Sequence, residues 1–292
     1  MSNFDVFNET STNVYGAELE LEGVHANEVM KTYPSHFNNL TITEYNNGSL
    51  FGGTRLVFTG YNFTAAGYLT PTVGINTNGH YAVNLPGCEH FGFSVRTQPT
   101  ATKYFWLDQN SQHVTIAPMS VPGPTWTYLP PAGGGQPVVR AVLNPVPAVP
   151  AVQPNPDAVW VKTYWTELPD VVDLNDLISG GNIAPQLPGE IEAEWNLLGG
   201  DVNLSLEEPL NPGDASVLRR YEFFKYTGSY DEVHLPNSAF QGLPNEQPPA
   251  NEIGQFIAAN MVAAVLDVPE PSSLGLILAG LGVVACRPRR RR

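Results

Sequence analysis

Along much of the chain, apolar and polar residues alternate with a period of two. Tyr15, Ala17, Leu19 and Leu21 fall on one side of a segment whose other side carries Glu18, Glu20 and Glu22. This is the pattern of a strand with one buried and one solvated face. Further strands are predicted over 54–63, 80–85, 91–97, 103–107 and 113–117, separated by Gly, Asn and Pro. Asn47-Gly48 and Asn78-Gly79 have the composition of hairpin turns. The alternation returns at Val159, Val161 and Trp165. It continues where Ile191, Ala193, Trp195 and Leu197 oppose Glu190, Glu192 and Glu194, and again through Val202, Leu204, Leu206 and the stretch 219–226. Two segments read as helix instead. Asp173 to Ser179 has the form of a short capped helix, and a helix near 252–266 is predicted from the spacing of Ile253, Phe256, Ile257 and Met261.

Between the two alternating regions lie eleven prolines from Pro118 to Pro156 and a Gly133-Gly134-Gly135 run, the composition of a semi-extended linker. The expected architecture is all-β, with one or two antiparallel β-sandwich domains of jelly-roll or Ig-like kind, a Pro-rich linker and a C-terminal hydrophobic helix. The expected boundaries are 1–117 for the first β domain, 118–157 for the linker, 158–267 for the second β-rich domain and 268–292 for a tail. The alternative is a long Pro-rich excursion on one domain. With 27 Gly, 27 Pro and only 14% charged residues, the composition favours many short strands joined by turns.

Charge narrows the partners. Residues 1–268 hold 9 basic and 27 acidic groups, a net −18. A field of that sign repels phosphate backbones, so no nucleic-acid partner is expected. The two cysteines, Cys88 and Cys286, are not expected to form a disulfide, since the second lies in an apolar tail.

The tail carries the strongest pattern. Pro269-Glu270-Pro271 is followed by an apolar run comprising Leu274, Gly275, Leu276, Ile277, Leu278, Ala279, Gly280, Leu281, Gly282, Val283, Val284, Ala285 and Cys286. A basic stop of Arg287, Arg289, Arg290, Arg291 and Arg292 closes the chain. The run has no polar face with which to join a core, so it reads as lipid-facing. As a helix, the residues between Pro271 and Arg287 span about 22 Å, short of a ~30 Å hydrocarbon layer, and snorkelling arginines bridge the difference. Arginines stay on the cytoplasmic side, which places everything before Pro269 outside.

This order of PEP, hydrophobic helix and arginine cluster resembles the PEP-CTERM sorting signal of bacterial exported proteins. Segments 87–108 and 219–231 also resemble parts of PEP-CTERM proteins. The resemblance implies an exosortase as partner, cleavage at or near Pro269-Glu270-Pro271, membrane attachment before processing, and delivery of the body to the cell surface or extracellular matrix. Members of this family begin with a secretory signal peptide, whereas residues 1–16 have no basic and apolar leader pattern. The expectation is an in-frame leader encoded upstream of Met1.

Catalytic motifs do not emerge. Gly92-Phe93-Ser94-Val95-Arg96 lacks the closing glycine of a nucleophile elbow, and neither a H-E-x-x-H pair nor a phosphate-cradling loop occurs. Cys88 and His90 share one face of a strand, with Glu89 on the other, and read as a buried thiol beside a hydrogen-bonded imidazole. Asp170, Asp173, Asn175 and Asp176 are candidate oxygen ligands for Ca2+, or else cap a turn. Of the tryptophans 106, 126, 160, 165 and 195, only Trp126 is expected to be exposed. The expected function is a structural or adhesive exported protein, without enzymatic activity and with Ca2+ as the only cofactor for which the sequence offers ligands. The alternatives are a carbohydrate-binding module for exopolysaccharide and a matrix-modifying hydrolase.

Overall fold

The computed structural model describes residues 1–8, 10, 14–33, 37–61, 88–115, 118–119, 121–131, 135–148, 154–178, 193–200, 202–240 and 246–266. Strands dominate them: β1 (Ser2–Phe7), β2 (Gly16–Glu22), β3 (Val29–Tyr33), β4 (Phe37–Asn47), β5 (Leu50–Tyr61), β6 (Cys88–Val95) and β7 (Thr102–Leu107) in the first half. The second half contributes β8 (Thr125–Leu129), β9 (Val138–Leu143), β10 (Val159–Leu168), β11 (Ala193–Leu198), β12 (Leu204–Pro209), β13 (Ser216–Tyr226) and β14 (Ile253–Val265), with one short helix, α1 (Leu174–Ile178). The segments 80–85, 190–192 and Asn78-Gly79 lie outside the described residues, as does the tail.

The strands form three antiparallel sheets. A seven-stranded sheet has the order β11-β10-β13-β14-β1-β6-β3, a four-stranded sheet β4-β5-β2-β7, and a three-stranded sheet β12-β9-β8. The two smaller sheets pack on one face of the large one. A single apolar cluster joins Phe4, Val6, Phe91 and Phe223 of the large sheet to Leu19, Leu56, Phe58 and Trp106 of the four-stranded sheet and to Leu143 and Leu206 of the three-stranded one. Aromatic rings fill its centre, with Phe4 stacked on Tyr104 at 4.2 Å and Phe58 on Phe91 at 5.7 Å. Burial of this kind is the main favourable term in folding, worth about 1.5–3 kcal/mol for each large side chain.

Three expectations need correction. The 252–266 segment is β14, a strand, and its residues Ile257–Ala264 are buried. It lies between β13 and β1 with both of its sheet faces covered. Such a strand reads as a continuous apolar run, in which spacings of three and four arise without a helix. Because Ser2↔Val262 and Val6↔Ala258 are register partners, the first and last strands of the body share one sheet across the Pro-rich segment. That segment itself contains β8 and β9, with Val139, Ala141 and Leu143 buried between its prolines. Finally, Glu18 and Glu20 are buried, not solvated. β2 runs between β5 and β7, and Arg55 on β5 reaches Glu20 Oε1 from Nη2 at 2.8 Å while His113 Nε2 lies 3.0 Å from Glu18 Oε1.

The β4–β5 hairpin turns on Gly48 and Ser49, one position beyond the Asn47-Gly48 pair expected, with Asn47↔Leu50 as the last partners. Gly48 has φ 65°, the left-handed conformation required at the first position of a type II′ turn.

Candidate functional site

The sorting tail is joined to the body with almost no spacer. β14 ends at Val265, and the Leu266 N–H donates to the Ala215 carbonyl at 2.9 Å. Only Leu266, Asp267 and Val268 precede Pro269. The sorting residues Pro269, Glu270 and Pro271, the apolar run and the terminal arginines all lie outside the described residues. Among the described residues no helix is long and apolar enough to cross a membrane.

The acidic cluster near 173 is a helix cap. Asp173 Oδ1 accepts the Asn175 N–H at 2.6 Å, and the Asp173 N–H donates to Asp176 Oδ2 at 2.8 Å, the reciprocal arrangement that satisfies the first amides of α1. Lys31 Nζ donates to the other Asp173 oxygen at 2.7 Å. That bond and the Asn175 amide hold the Asp173 carboxyl below its ordinary range. Asp170 is exposed beside this cap. Among the described residues no group of three or more His, Cys, Asp and Glu side chains is placed to hold a metal ion.

Around the Cys88-Glu89-His90 segment, the fold assembles a polar row that the sequence did not reveal. Register pairs place His90, Asp5, Ala259, Glu222, Lys162 and Trp195 side by side across β6, β1, β14, β13, β10 and β11. This row lies on the sheet face opposite the main core. His90 Nδ1 is bonded to Asp5 Oδ1, both groups being buried. Arg220 grips Glu222 Oε1 through Nε at 3.0 Å and Nη2 at 2.8 Å, and the Tyr164 hydroxyl lies 3.4 Å from Glu222 Oε2. Tyr33 meets the His90 ring edge-on at 5.1 Å. Its phenol is pushed above the ordinary range by burial and by the charges of Glu89 and Asp5. Each carboxylate of the row is thus joined to a nitrogen base, a pairing that offsets the cost of burying charge. Asp5 and His90 are 85 positions apart, and no local pattern links them.

The tryptophans divide as expected except one. Trp106, Trp160 and Trp195 are buried and Trp165 is half-buried. Trp126 is half-buried too, packed against two apolar clusters and 5.9 Å from the Arg219 guanidinium. A recess of about 200 Å³ beside Trp106 is lined by Val6, Phe7, Met119, Val121 and Ile257, with no acid or base in its wall.

An all-β body is followed, three residues after its last strand, by the Pro-Glu-Pro tail. Residues 267–292 match the PEP-CTERM protein-sorting motif. The motif implies a secreted, envelope-associated protein processed by an exosortase, a membrane enzyme. No curated protein and no solved structure matches the chain.

Proposed function

We propose that the body serves as a structural or adhesive component of the cell surface or extracellular matrix once the tail has delivered it. The observation that carries this reading is β4. It is eleven residues long, it forms the edge of the four-stranded sheet among the described residues, and all ten of its residues from Asn38 to Asn47 are exposed or half-exposed. An edge of that length offers a row of backbone donors and acceptors to another chain, and natural proteins usually shorten or charge such edges unless they use them. Here the sequence Asn38-Asn39-Leu40-Thr41-Ile42-Thr43-Glu44 carries one charge, and Glu44 is occupied by His25 at 3.2 Å and the Ala26 amide at 3.0 Å.

The test is retention of the processed protein in the matrix fraction of cells expressing the native chain or Leu40→Pro and Ile42→Pro variants, whose N–H groups point away from β5. Prolines on the open edge are expected to release the protein into the medium while leaving its circular dichroism unchanged. Full retention of the folded variants rejects the edge as the adhesive element. Binding of the variants to purified exopolysaccharide as tightly as the native chain favours a carbohydrate module instead.

A further inference from the structure

We infer that the end of the sandwich from which the tail leaves is a lipid-facing surface, resting on the outer face of the bilayer while the tail is in place. This rests on the reading of the tail as membrane-anchored before processing. The first argument is reach. Eight residues, 266–273, separate the end of β14 from Leu274, and a fully extended chain of that length covers at most about 29 Å. β14 is hydrogen-bonded along both edges, to β13 and to β1, so it cannot lengthen the tether without breaking two ladders. The body is therefore held with this end toward the headgroups.

The second argument is what this end displays. Met1 accepts from the Ala263 amide at 3.1 Å, β6 ends here at Val95, and β10 ends here with the Leu168 carbonyl bonded to Ala215 at 2.8 Å. The four-stranded sheet shares the same end. A short loop joins Val95 to Thr102, whose register partner is Leu21, and Glu22 in turn pairs with Gly53 at the root of the β4–β5 turn. Five of the ten exposed large apolar side chains among the described residues sit here: Leu50 (73% exposed), Val171, Met30 (54%), Val265 and Phe51. Scattered apolar residues are normal on any surface, whereas a group at one end marks a partner.

Basic and aromatic groups lie among them. The Arg96 guanidinium is 3.6 Å from the Met30 sulfur and His25 stacks on Phe51 at 4.0 Å, while Lys31 and His25 are paired with the carboxylates of Asp173 and Glu44. Apolar and aromatic tips grouped at one end are what a headgroup region accommodates, the tips entering the acyl boundary. The far end exposes fewer such side chains, Val202, Val233 and Leu235.

The full chain is placed in vesicles of phosphatidylethanolamine and phosphatidylglycerol. Photoreactive benzoylphenylalanine is introduced singly at exposed positions 50, 30 or 233. After illumination, lipid adducts are expected to be at least tenfold more abundant at 50 and 30 than at 233. Adducts of equal abundance at the two ends, or none at 50 and 30, in a chain that floats with the vesicles overturn the proposal alone. A chain that does not float overturns the anchored-tail reading and the proposal with it.

Discussion

The Ser2 hydroxyl donates to the Asn260 side-chain oxygen at 2.6 Å, joining residues 258 positions apart within the buried centre of the large sheet. Asn260 Nδ2 in turn donates to the Tyr104 hydroxyl at 3.2 Å, which reaches across from the four-stranded sheet. The three groups satisfy one another where water has no access. Asn260→Ala leaves two buried hydroxyls short of a partner, a loss of about 1–3 kcal/mol. Urea denaturation of the purified chain should show a lower midpoint with an unchanged slope.

Tyr104 also sets an alkaline limit. Burial raises its phenol to about 12, and burial raises that of Tyr221 still further. An unfolded tyrosine ionises near 10. Below that value both states keep the proton and the contribution to stability is constant. Above it the unfolded chain releases a proton that the folded chain retains, so stability falls by about 1.4 kcal/mol per pH unit for each tyrosine until the folded value is passed. Stability measured from pH 9 to 12 should decline above 10, and Tyr104→Phe should flatten the decline while lowering the plateau through the lost Asn260 contact. An identical slope in the variant rejects the assignment.

Arg219 is the least economical residue of the core. It is fully buried, and Nη1 bonds the Glu167 carboxylate at 3.3 Å and the Leu218 carbonyl at 3.0 Å, while Nε and Nη2 find no hydrogen-bond partner among the described residues. A buried ion pair with incomplete bonding is commonly less stable than an apolar replacement of similar volume. Arg219→Met is expected to leave stability unchanged or raise it by about 1–4 kcal/mol, whereas Glu167→Ala, which strands the cation, should lower it by about 3–5 kcal/mol. Thermal denaturation of the two variants, with the opposite order as the failing result, decides.

These three sites show where the sequence is readable and where it is not. Strands whose apolar and polar residues alternate announce themselves, as β2 does through Ala17, Leu19 and Leu21, although the glutamates between them are buried as well. β14, covered on both faces, loses the alternation, and its small residues Ala258, Ala259, Ala263 and Ala264 imitate a helix. The cap of α1 is legible because Asp173, Asn175 and Asp176 act within one turn. The His90–Asp5 and Ser2–Asn260 pairs are not, because they depend on which strands lie side by side, and strand order is set by packing of the whole sandwich. The two carboxylates of β2 were misplaced for the same reason: only the neighbouring Arg55 and His113 make their burial tolerable. The sorting motif at 267–292, by contrast, is legible from residue order alone.

That order makes the last prediction the sharpest. The interval between β14 and the Pro-Glu-Pro residues is three positions, so cleavage at 269–271 requires an exosortase to reach its peptide close to the end of a folded interior strand. Mass spectrometry of the C-terminus is expected to find the protein ending near 269–271 in cells with the exosortase and at Arg292 in cells lacking it. Glu270→Ala should leave the uncleaved form in the membrane fraction in both strains. A mature chain that ends at Arg292 whether or not the enzyme is present rejects processing of this tail, and loss of Glu270 without effect on cleavage rejects the motif as its determinant.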